Sequence, residues 1–299
     1  MTEHASAPIL TEHSRTQVMG ILNVTPDSFS DGGKHFSPEA AIAHAAAMLA
    51  DGADIIDVGG ESTRPGATRI SPEQEQDRIL PVIEAISSLG ATISVDTMNP
   101  STARAAIGAG AHIINDVSGM NLSDEMLETA AHLQVPYILM HARGTSTTMN
   151  DLAVYPRGTV TEVLEELMSL RERALAAGIA PQNLILDPGL GFAKTGEQDW
   201  ELLGAVQDFQ ALGHRLLIAG SRKRSVANAL AAADKEHATR YNLPQPAPRT
   251  PEQRDAASAA VAALMARSGV WAVRVHDVRA AVDAITIVET IRKFEKNAR

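Results

Sequence analysis

Polar residues of the types that do chemistry recur along the sequence at one kind of place, the end of a short apolar segment. They are carboxylates, amides, imidazoles and a hydroxyl, which accept N–H donors, transfer protons and bind hard cations. Any one of them could be a loop anchor or a helix cap, but eight successive cases indicate a shared binding site. The series is Asn23, Asp57, Asp96, Asn115 with Asp116, His141, Asp187, Ser221 and His276.

The stretch GILNVTPDSFSDGG, residues 20–33, adds an unusual loop to the first of these ends. The stretch begins in an apolar segment and then contains more Asp, Ser, Gly and Pro residues than a simple connection needs. Loops that leave a rigid scaffold commonly carry binding residues. We therefore predict that a ligand is bound beside this loop.

The segments that must position these residues form a regular series. Eight Val- and Ile-rich segments alternate with Ala- and Leu-rich segments at helical spacing, which predicts a parallel sheet covered by helices. We predict an α/β protein with one domain, a (β/α)8 TIM barrel, whose strands end at one mouth where the active site lies. A doubly wound open sheet is the second interpretation. The apolar segments are residues 17–24, 53–60, 92–97, 111–119, 137–144, 184–191, 215–223 and 271–278.

Two parts of the sequence fall outside this regular series. Residues 1–15 are predicted to be a flexible leader before a barrel of residues 16–299. The connection between Lys223 and Trp271 is the longest, and we expect an extended, exposed, Pro-rich insertion near residues 234–251. Its prolines are Pro244, Pro246, Pro248 and Pro251.

Composition excludes several classes of function. The 299 residues carry a formal net charge of −10, which argues against binding to nucleic acid or to a membrane surface. Cys is absent, so thiolate catalysis and thiolate metal sites are excluded and any metal is expected to be hard. No segment approaches the roughly 18 apolar residues of a membrane span, and the first residues lack the pattern of a signal peptide. We predict a cytoplasmic protein.

Five motifs in order resemble the dihydropteroate synthase family of folate biosynthesis, and the resemblance extends from about Gln17 to about Lys293. The resemblance implies condensation of 6-hydroxymethyl-7,8-dihydropterin diphosphate with 4-aminobenzoate to give dihydropteroate and pyrophosphate. It also implies Mg2+ and a homodimer formed through outer helices late in the chain. The motifs are GILNVTPDSFSDGG, VGGESTRPGA, LDPGLGFAKT, GSRKR and RVHDV.

For the pterin diphosphate, the resemblance implies one set of side chains. A dihydropterin presents amide and amino groups along one edge, and carboxylates and amides can pair with that edge in a deep pocket. Asn23 corresponds to a Mg2+ ligand that also serves the diphosphate. The remaining implied contacts are Thr63, Asp96, Asn115, Met140, Asp187, Phe192, Lys223, Arg274, Val275 and His276.

For the 4-aminobenzoate, the resemblance implies two loops and a helix start. Loss of pyrophosphate builds positive charge on the methylene carbon, and Asp31, or less favourably Asp27, is expected to face it. The loops at residues 25–34 and 61–68 are expected to close as a lid that excludes water. Arg64 and Lys223 complete the catalytic set. The aminobenzoate contacts are Phe29, Thr63, Arg64, Pro65, Ser221 and Arg224.

The sequence departs from the usual family pattern at three points. Ala219 and Gly220 precede Ser221, which shifts a glycine by one place, and Arg224 follows Lys223 where Ser is frequent. Ser146 stands where Pro is frequent. We expect Arg224 to change the contacts to the aminobenzoate carboxylate while binding is retained.

Three alternatives share parts of this pattern. A pterin-binding methyltransferase barrel would lack the TPDSFSDGG, STRPG and SRK elements, all of which are present. A catalytically silent pterin-binding paralogue would be expected to lose loop or phosphate residues, and none is lost. A Schiff-base aldolase that uses Lys223 is conceivable from barrel architecture alone, since a fold does not select one function.

Overall fold

Eight parallel strands form a closed ring in the computed structural model, which describes residues 15–25, 38–62 and 66–297. Each strand pairs with the next, and β1 pairs with β8 through partners that run from Gln17 and Ala272 to Gly20 and Val275. The predicted single-domain (β/α)8 barrel is confirmed, and the open sheet is excluded. The strands are β1 (Gln17–Asn23), β2 (Ile55–Gly59), β3 (Ile93–Asp96), β4 (Ile113–Asp116), β5 (Tyr137–Met140), β6 (Leu184–Asp187), β7 (Arg215–Ile218) and β8 (Ala272–Val275).

Helices follow the strands and cover the outside of the ring. Local sequence defines their starts: Pro72 and Pro100 occupy first turns, where a missing N–H does no harm. Ser71 and Thr195 begin capping boxes that satisfy free N–H groups of the first turn. The helices are α1 (Pro38–Ala50), α2 (Pro72–Ser87), α3 (Pro100–Gly108), α4 (Asp124–Leu133), α5 (Thr159–Ala176), α6 (Gly196–Gly204), α7 (Val206–Gln210), α8 (Arg224–Arg240), α9 (Asp255–Ser268) and α10 (Val278–Asn297).

Alternation along the strands separates two apolar layers. One face of each strand packs against the helices and belongs to a large outer core. The other face fills the lower part of the ring with a small inner core. The strand residues above the inner core are therefore the ones that can line the mouth, the space at the C-terminal ends of the strands. The inner core consists of Met19, Ile55, Ile113, Ile138, Ile185, Leu217 and Ala272.

The long connection after β7 is partly helical. Helix α8 continues to Arg240, so the predicted insertion near 234–251 begins inside that helix. Residues 241–251 follow without regular structure and are almost entirely exposed. The chain then makes a single 3-10 turn, Glu252–Arg254, and enters α9.

Arg15 is the only residue of the predicted leader that belongs to the described part of the chain, so the leader stays a prediction. Among the described helices, none combines the length and the apolar character needed to cross a membrane.

Candidate active site

The floor of the mouth is an ion-pair network that joins strands distant in sequence. The Arg274 guanidinium on β8 donates from Nε to Asp57 Oδ2 at 2.6 Å and from Nη2 to Asp96 Oδ2 at 2.9 Å. Asn115 on β4 donates from Nδ2 to the same Asp57 oxygen at 3.1 Å. The structure thus brings the predicted residues Asp96, Asn115 and Arg274 together around one buried carboxylate.

Asp57 is a component of this site that the sequence pattern placed at a strand end but gave no specific role. Its side chain is fully buried, and its second oxygen, Oδ1, has no hydrogen-bond partner among the described residues. The sequence feature that could have identified it is its spacing of two residues from Ile55, which places both on the inner face of β2. Its partner Arg274 lies 217 residues away, and no local pattern connects the two.

Asn23 ends β1 on the same side of the floor. In the strand register it lies opposite Gly59, which in turn lies opposite Asp96, and Asp96 lies opposite Asn115. The Asn23 side chain is only partly buried. Over the described ranges, no group of three or more His, Asp and Glu side chains is placed to hold a metal ion.

The environment of Asp96 raises the pKa of its carboxyl group into the neutral pH range. Burial raises the pKa of Asp96 to about 7 against the opposing effect of Arg274, and the nearby carboxylates of Asp57 and Glu75 raise it further. The pKa of Asp187 is also raised by burial, although the Gly189 N–H and Lys223 act in the opposite direction. Burial therefore disfavours the ionised form of both carboxyl groups, and N–H donors from a bound molecule would stabilise that form.

Asp187 and Lys223 form the side of the mouth across from this network. Asp187 Oδ1 accepts from the Gly189 N–H at 2.7 Å, which fixes the carboxylate at the start of the β6 to α6 loop. Lys223 Nζ lies 4.7 Å from the centre of the Phe192 ring, within the range of a cation–π contact. Burial lowers the pKa of Lys223, while Asp199 and Asp187 act to raise it.

Met140 and Phe192 belong to a small apolar cluster at the mouth. Met140 is almost fully buried, and Phe192 and Met98 pack against the cluster from partly exposed positions. Val117 and Ala142 complete it. The two residues predicted as apolar walls thus lie on one apolar surface, which an aromatic ring can contact.

His276 and Ser221 connect the end of β8 to the turn after β7. The backbone N–H of His276 donates to Ser221 Oγ at 3.2 Å, and the His276 Nδ1 lies 3.1 Å from the same oxygen. The Ser221 hydroxyl can accept from the backbone and in addition either donate to Nδ1 or accept from it, so this contact is compatible with both tautomers of the neutral ring. Burial first, and then Arg222, Arg274 and Lys223, lower the pKa of His276 to about 3.

Two predicted residues need more specific placement. Val275 lies between Arg274 and His276 and packs in the outer core, because successive strand residues face opposite sides. The predicted contact of Val275 with substrate stays a prediction, and in this position its main chain, not its side chain, is next to the mouth. Arg224 is exposed and donates from Nη2 to Asn150 Oδ1 at 3.1 Å, which directs its guanidinium to the β5 to α5 loop.

Two strand-end residues that the sequence pattern counted toward the mouth face the helices instead. Asp116 Oδ2 accepts from the buried Tyr137 hydroxyl at 2.7 Å. His141 lies between Glu166 of α5, at 2.9 Å from Nε2, and Lys194, whose Nζ is 2.8 Å from Nδ1. These groups are part of the framework behind the mouth.

Six residues predicted for the two loops lie outside the described residues, and their proposed roles therefore stay predictions. They are Asp27, Phe29, Asp31, Thr63, Arg64 and Pro65.

The described part of the mouth can bind a flat, polar heterocycle that carries an anionic tail. Carboxylates and an amide lie at its floor, an apolar wall stands to one side, and Arg274, Lys223 and the neutral His276 supply donors. The carboxylates and the donors occupy different strands of one ring, so a bound molecule would contact both sets at once.

Comparisons with a family model and with known proteins agree on one family. A family model described as pterin binding enzyme matches residues 19–276. The dihydropteroate synthase of Mycobacterium leprae is 46% identical over 272 residues, which cover 91% of this chain and 92% of that protein.

Solved structures agree with the sequence comparison. The Xanthomonas albilineans dihydropteroate synthase with 4-aminobenzoic acid superposes with a TM-score of 0.82 at 40% identity, over 93% of this chain and 94% of that one. The same enzyme in complex with 7,8-dihydropteroate gives a TM-score of 0.79 at 38% identity, again over 93% and 94% of the two chains.

Proposed function

Since the chain belongs to the dihydropteroate synthase family of pterin-binding enzymes, we propose that its barrel mouth joins 6-hydroxymethyl-7,8-dihydropterin diphosphate to 4-aminobenzoate. The products are 7,8-dihydropteroate and pyrophosphate, and the enzyme is a transferase. The observation that carries the proposal is the Asp57, Asp96, Asn115 and Arg274 network at the floor of a mouth that also holds Asp187 and Lys223.

Pterin recognition follows from which polar atoms remain available. Asn115 uses its Nδ2 on Asp57, so its amide oxygen is directed to accept from the pterin edge. Asp96 and Asp187 each use one oxygen within the protein and keep the other as an acceptor for ring or amino N–H groups. An analogue without these donors would leave buried carboxylates unpaired and would be rejected strongly.

The diphosphate is expected at the outer side of this pocket. Arg274 and His276 alternate on one face at the end of β8, and a neutral His276 ring carries one N–H that can donate. Such donors stabilise the charge that develops on pyrophosphate as its bond to the methylene carbon breaks. Thr63 and the main chain at Val275 complete this set in the proposal.

Asn23 is suited to be the single protein ligand of a Mg2+ ion. It is an oxygen donor at the strand end, partly exposed and separated from Asp96 by one residue in the register. Mg2+ typically keeps several waters and substrate phosphate oxygens, so it needs few protein ligands. When bound, the ion would neutralise charge on the leaving diphosphate.

The aminobenzoate is expected to approach after the pterin is bound, from the side of Ser221 and Arg224. Its amine is already neutral at pH 7 and needs no general base, so departure of pyrophosphate is the activating event. Lys223 lies beside Phe192, between the pterin floor and the start of α8, and would contact both substrates. The proposal retains Phe29, Arg64 and Pro65 as contacts, and Asp31 with Asp27 as carboxylates facing the developing cation.

The partners in this proposal are the two small-molecule substrates and a second copy of the chain. We propose a cytoplasmic homodimer that binds neither nucleic acid nor a membrane. The net charge of −10 supports the exclusion of nucleic acid and membrane partners.

One assay tests the proposed reaction. Pyrophosphate release should require dihydropterin diphosphate, 4-aminobenzoate and Mg2+ together, and omission of any one should abolish it. Release without 4-aminobenzoate at the full rate would indicate a hydrolase and contradict the proposal. Absence of release with all three components would contradict it as well.

A further inference from the structure

Arg222 lies between two residues of the mouth and has an unusual backbone conformation. Its φ angle is 57°, in the left-handed region that residues with side chains rarely adopt. Ser221 before it contacts His276, and Lys223 after it lies over Phe192. The direction of both side chains therefore depends on the backbone of Arg222.

Three residues of one short segment make four hydrogen bonds with Arg222, two with its side chain and two with its backbone. Asp255 accepts from Arg222 Nε and Nη2, each at 2.7 Å, in a bidentate pair. Ser258 Oγ accepts from the Arg222 backbone N–H at 3.0 Å, and Arg254 Nη1 donates to the Arg222 carbonyl oxygen at 3.4 Å. We call Asp255, Ser258 and Arg254 the clamp.

The clamp also connects the mouth to the Pro-rich stretch, residues 241–251. No residue of this stretch has a role in the proposed reaction. Arg254 donates from Nη2 to the Arg249 carbonyl oxygen at 2.8 Å. Arg249 in turn makes a bidentate pair with Asp234 on α8, with an Nε to Oδ2 distance of 2.7 Å. Through Arg249, the later end of the stretch is thus tied both to the clamp and to α8, a helix that begins at the mouth.

We propose that Asp255 is a positioning residue for the reaction, which holds Arg222 in the left-handed conformation and so directs Ser221 and Lys223 into the mouth. Asp255 acts through Arg222 and does not itself touch substrate. Its pair with Arg222 is largely shielded, with 23% and 15% of the two side chains exposed, so water competes weakly for it. The inference rests on the proposed function and adds a residue to it.

The experiment compares removal of Asp255 in two backgrounds. In the wild-type chain, Asp255→Ala should lower kcat/KM for the dihydropterin diphosphate at least about tenfold, because small misplacements of catalytic groups have effects of this size or larger. In the Arg222→Gly background the same change should have less than about a twofold effect, because glycine adopts the left-handed conformation without restraint. Glu165→Ala is the matched control, since it removes the exposed pair of Glu165 with Arg157 and should leave kcat/KM unchanged.

The two backgrounds separate positioning from stability. A loss that is equal in both backgrounds, or an Asp255→Ala enzyme with wild-type kinetics, would overturn the proposal. If Asp255→Ala alone does not fold, the Arg222→Gly pair of variants and Asp255→Asn still provide the comparison, with Asp255→Asn expected between wild type and Ala.

The clamp can also fail independently of the proposed function. If the wild-type enzyme releases no pyrophosphate, the function is wrong, and the φ angle of Arg222 in a crystal structure of Asp255→Ala still tests the clamp. A left-handed Arg222 in that structure would contradict it.

Discussion

Asp57 determines which polar atoms the pocket floor presents. A carboxylate only accepts hydrogen bonds, so it must receive the Asn115 Nδ2 and the Arg274 Nε that lie within reach. The Asn115 amide is thereby fixed in one orientation, and Arg274 is held against the floor. The residue thus acts on substrate recognition through its neighbours.

Replacing Asp57 should affect both stability and recognition. Asp57→Asn would place a second amide beside Asn115 and weaken the buried pair with Arg274, so we expect the free energy of unfolding to fall by about 3 kcal/mol. We expect kcat/KM for the dihydropterin diphosphate to fall about 100-fold. Urea denaturation and the pyrophosphate assay measure the two effects.

Ser94→Ala is the control for this change. Ser94 is buried opposite Asp57 in the register, and its hydroxyl has no hydrogen-bond partner among the described residues. Its loss should alter neither quantity by more than about 1 kcal/mol. Equal behaviour of the two variants would show that Asp57 has no special role.

The raised pKa of Asp96 predicts a pH dependence for pterin binding. The pKa of about 7 lies above the ordinary value, so protonation stabilises the free protein at low pH, and this contribution is lost as the pH rises through 7. Pterin N–H donors require the ionised carboxylate, so the affinity for 6-hydroxymethylpterin should fall about tenfold per pH unit below 7. Calorimetric titrations between about pH 5.5 and about pH 7.5 would measure it. Asp96→Asn should remove the slope, and a slope that persists would assign it to another group.

At the scale of the elements, the apolar segments predicted the strands and their order, because each strand of a parallel barrel is buried on both faces. The direction of individual side chains was harder to predict. Asn115 and Asp116 are adjacent and both polar, and only the packing of Ile113 in the inner core shows that Asn115 faces the mouth. His141 was misassigned for the same reason. The pair of Asp57 and Arg274 depends on ring closure, which no segment contains by itself.

The β6 to α6 loop shows how a single element positions a catalytic group. Gly191 has a φ angle of 75°, and a Cβ at this position would lie 3.2 Å from Lys223 Cδ and 3.4 Å from its Nζ. The side chain of Lys223 therefore passes over Gly191, where the loop has no side chain. A Cβ at position 191 would therefore require the Lys223 side chain to shift by a fraction of an ångström.

Two glycine substitutions separate this contact from backbone strain. Gly191→Ala and Gly213→Ala both place alanine at a left-handed position, and each should lower the free energy of unfolding by about 1 to 2 kcal/mol. Gly213 has a φ angle of 78°, and a Cβ at that position would meet no described atom within 4 Å, so its substitution should leave kinetics unchanged. Gly191→Ala should in addition lower kcat/KM about tenfold or more. Equal kinetics would show that Lys223 adjusts freely.

At the scale of the whole molecule, every part of the site depends on closure of the ring between β1 and β8. Side chains hold the start of β1 on both sides, towards β2 through Asp54 and towards β8 through Thr16. Arg15 makes a bidentate pair with Asp54 at 2.9 and 2.7 Å, and Asp54 Oδ2 also accepts from the Val18 N–H at 2.7 Å. Thr16 donates from Oγ1 to the Val270 carbonyl oxygen at 2.7 Å, which ties the start of β1 to the residues before β8.

Asp54→Ala loosens the start of β1 on its β2 side, and it tests whether β1 with its β8 junction is part of one cooperative unit. The substitution removes a charge-assisted pair and a backbone hydrogen bond, so we expect the free energy of unfolding to fall by about 2 kcal/mol. Trp271 reports on the junction, because its backbone N–H donates to the Leu216 carbonyl and its own carbonyl accepts from the Gln17 backbone N–H. In a Trp200→Phe background, the urea transition followed by Trp271 fluorescence should coincide with that followed by circular dichroism, before and after the substitution. Asp51→Ala, a nearby carboxylate at the end of α1, serves as the control. A fluorescence transition that precedes the loss of secondary structure would mean that β1 and β8 separate first, and the floor joining Asp57 to Arg274 would then open before the barrel unfolds.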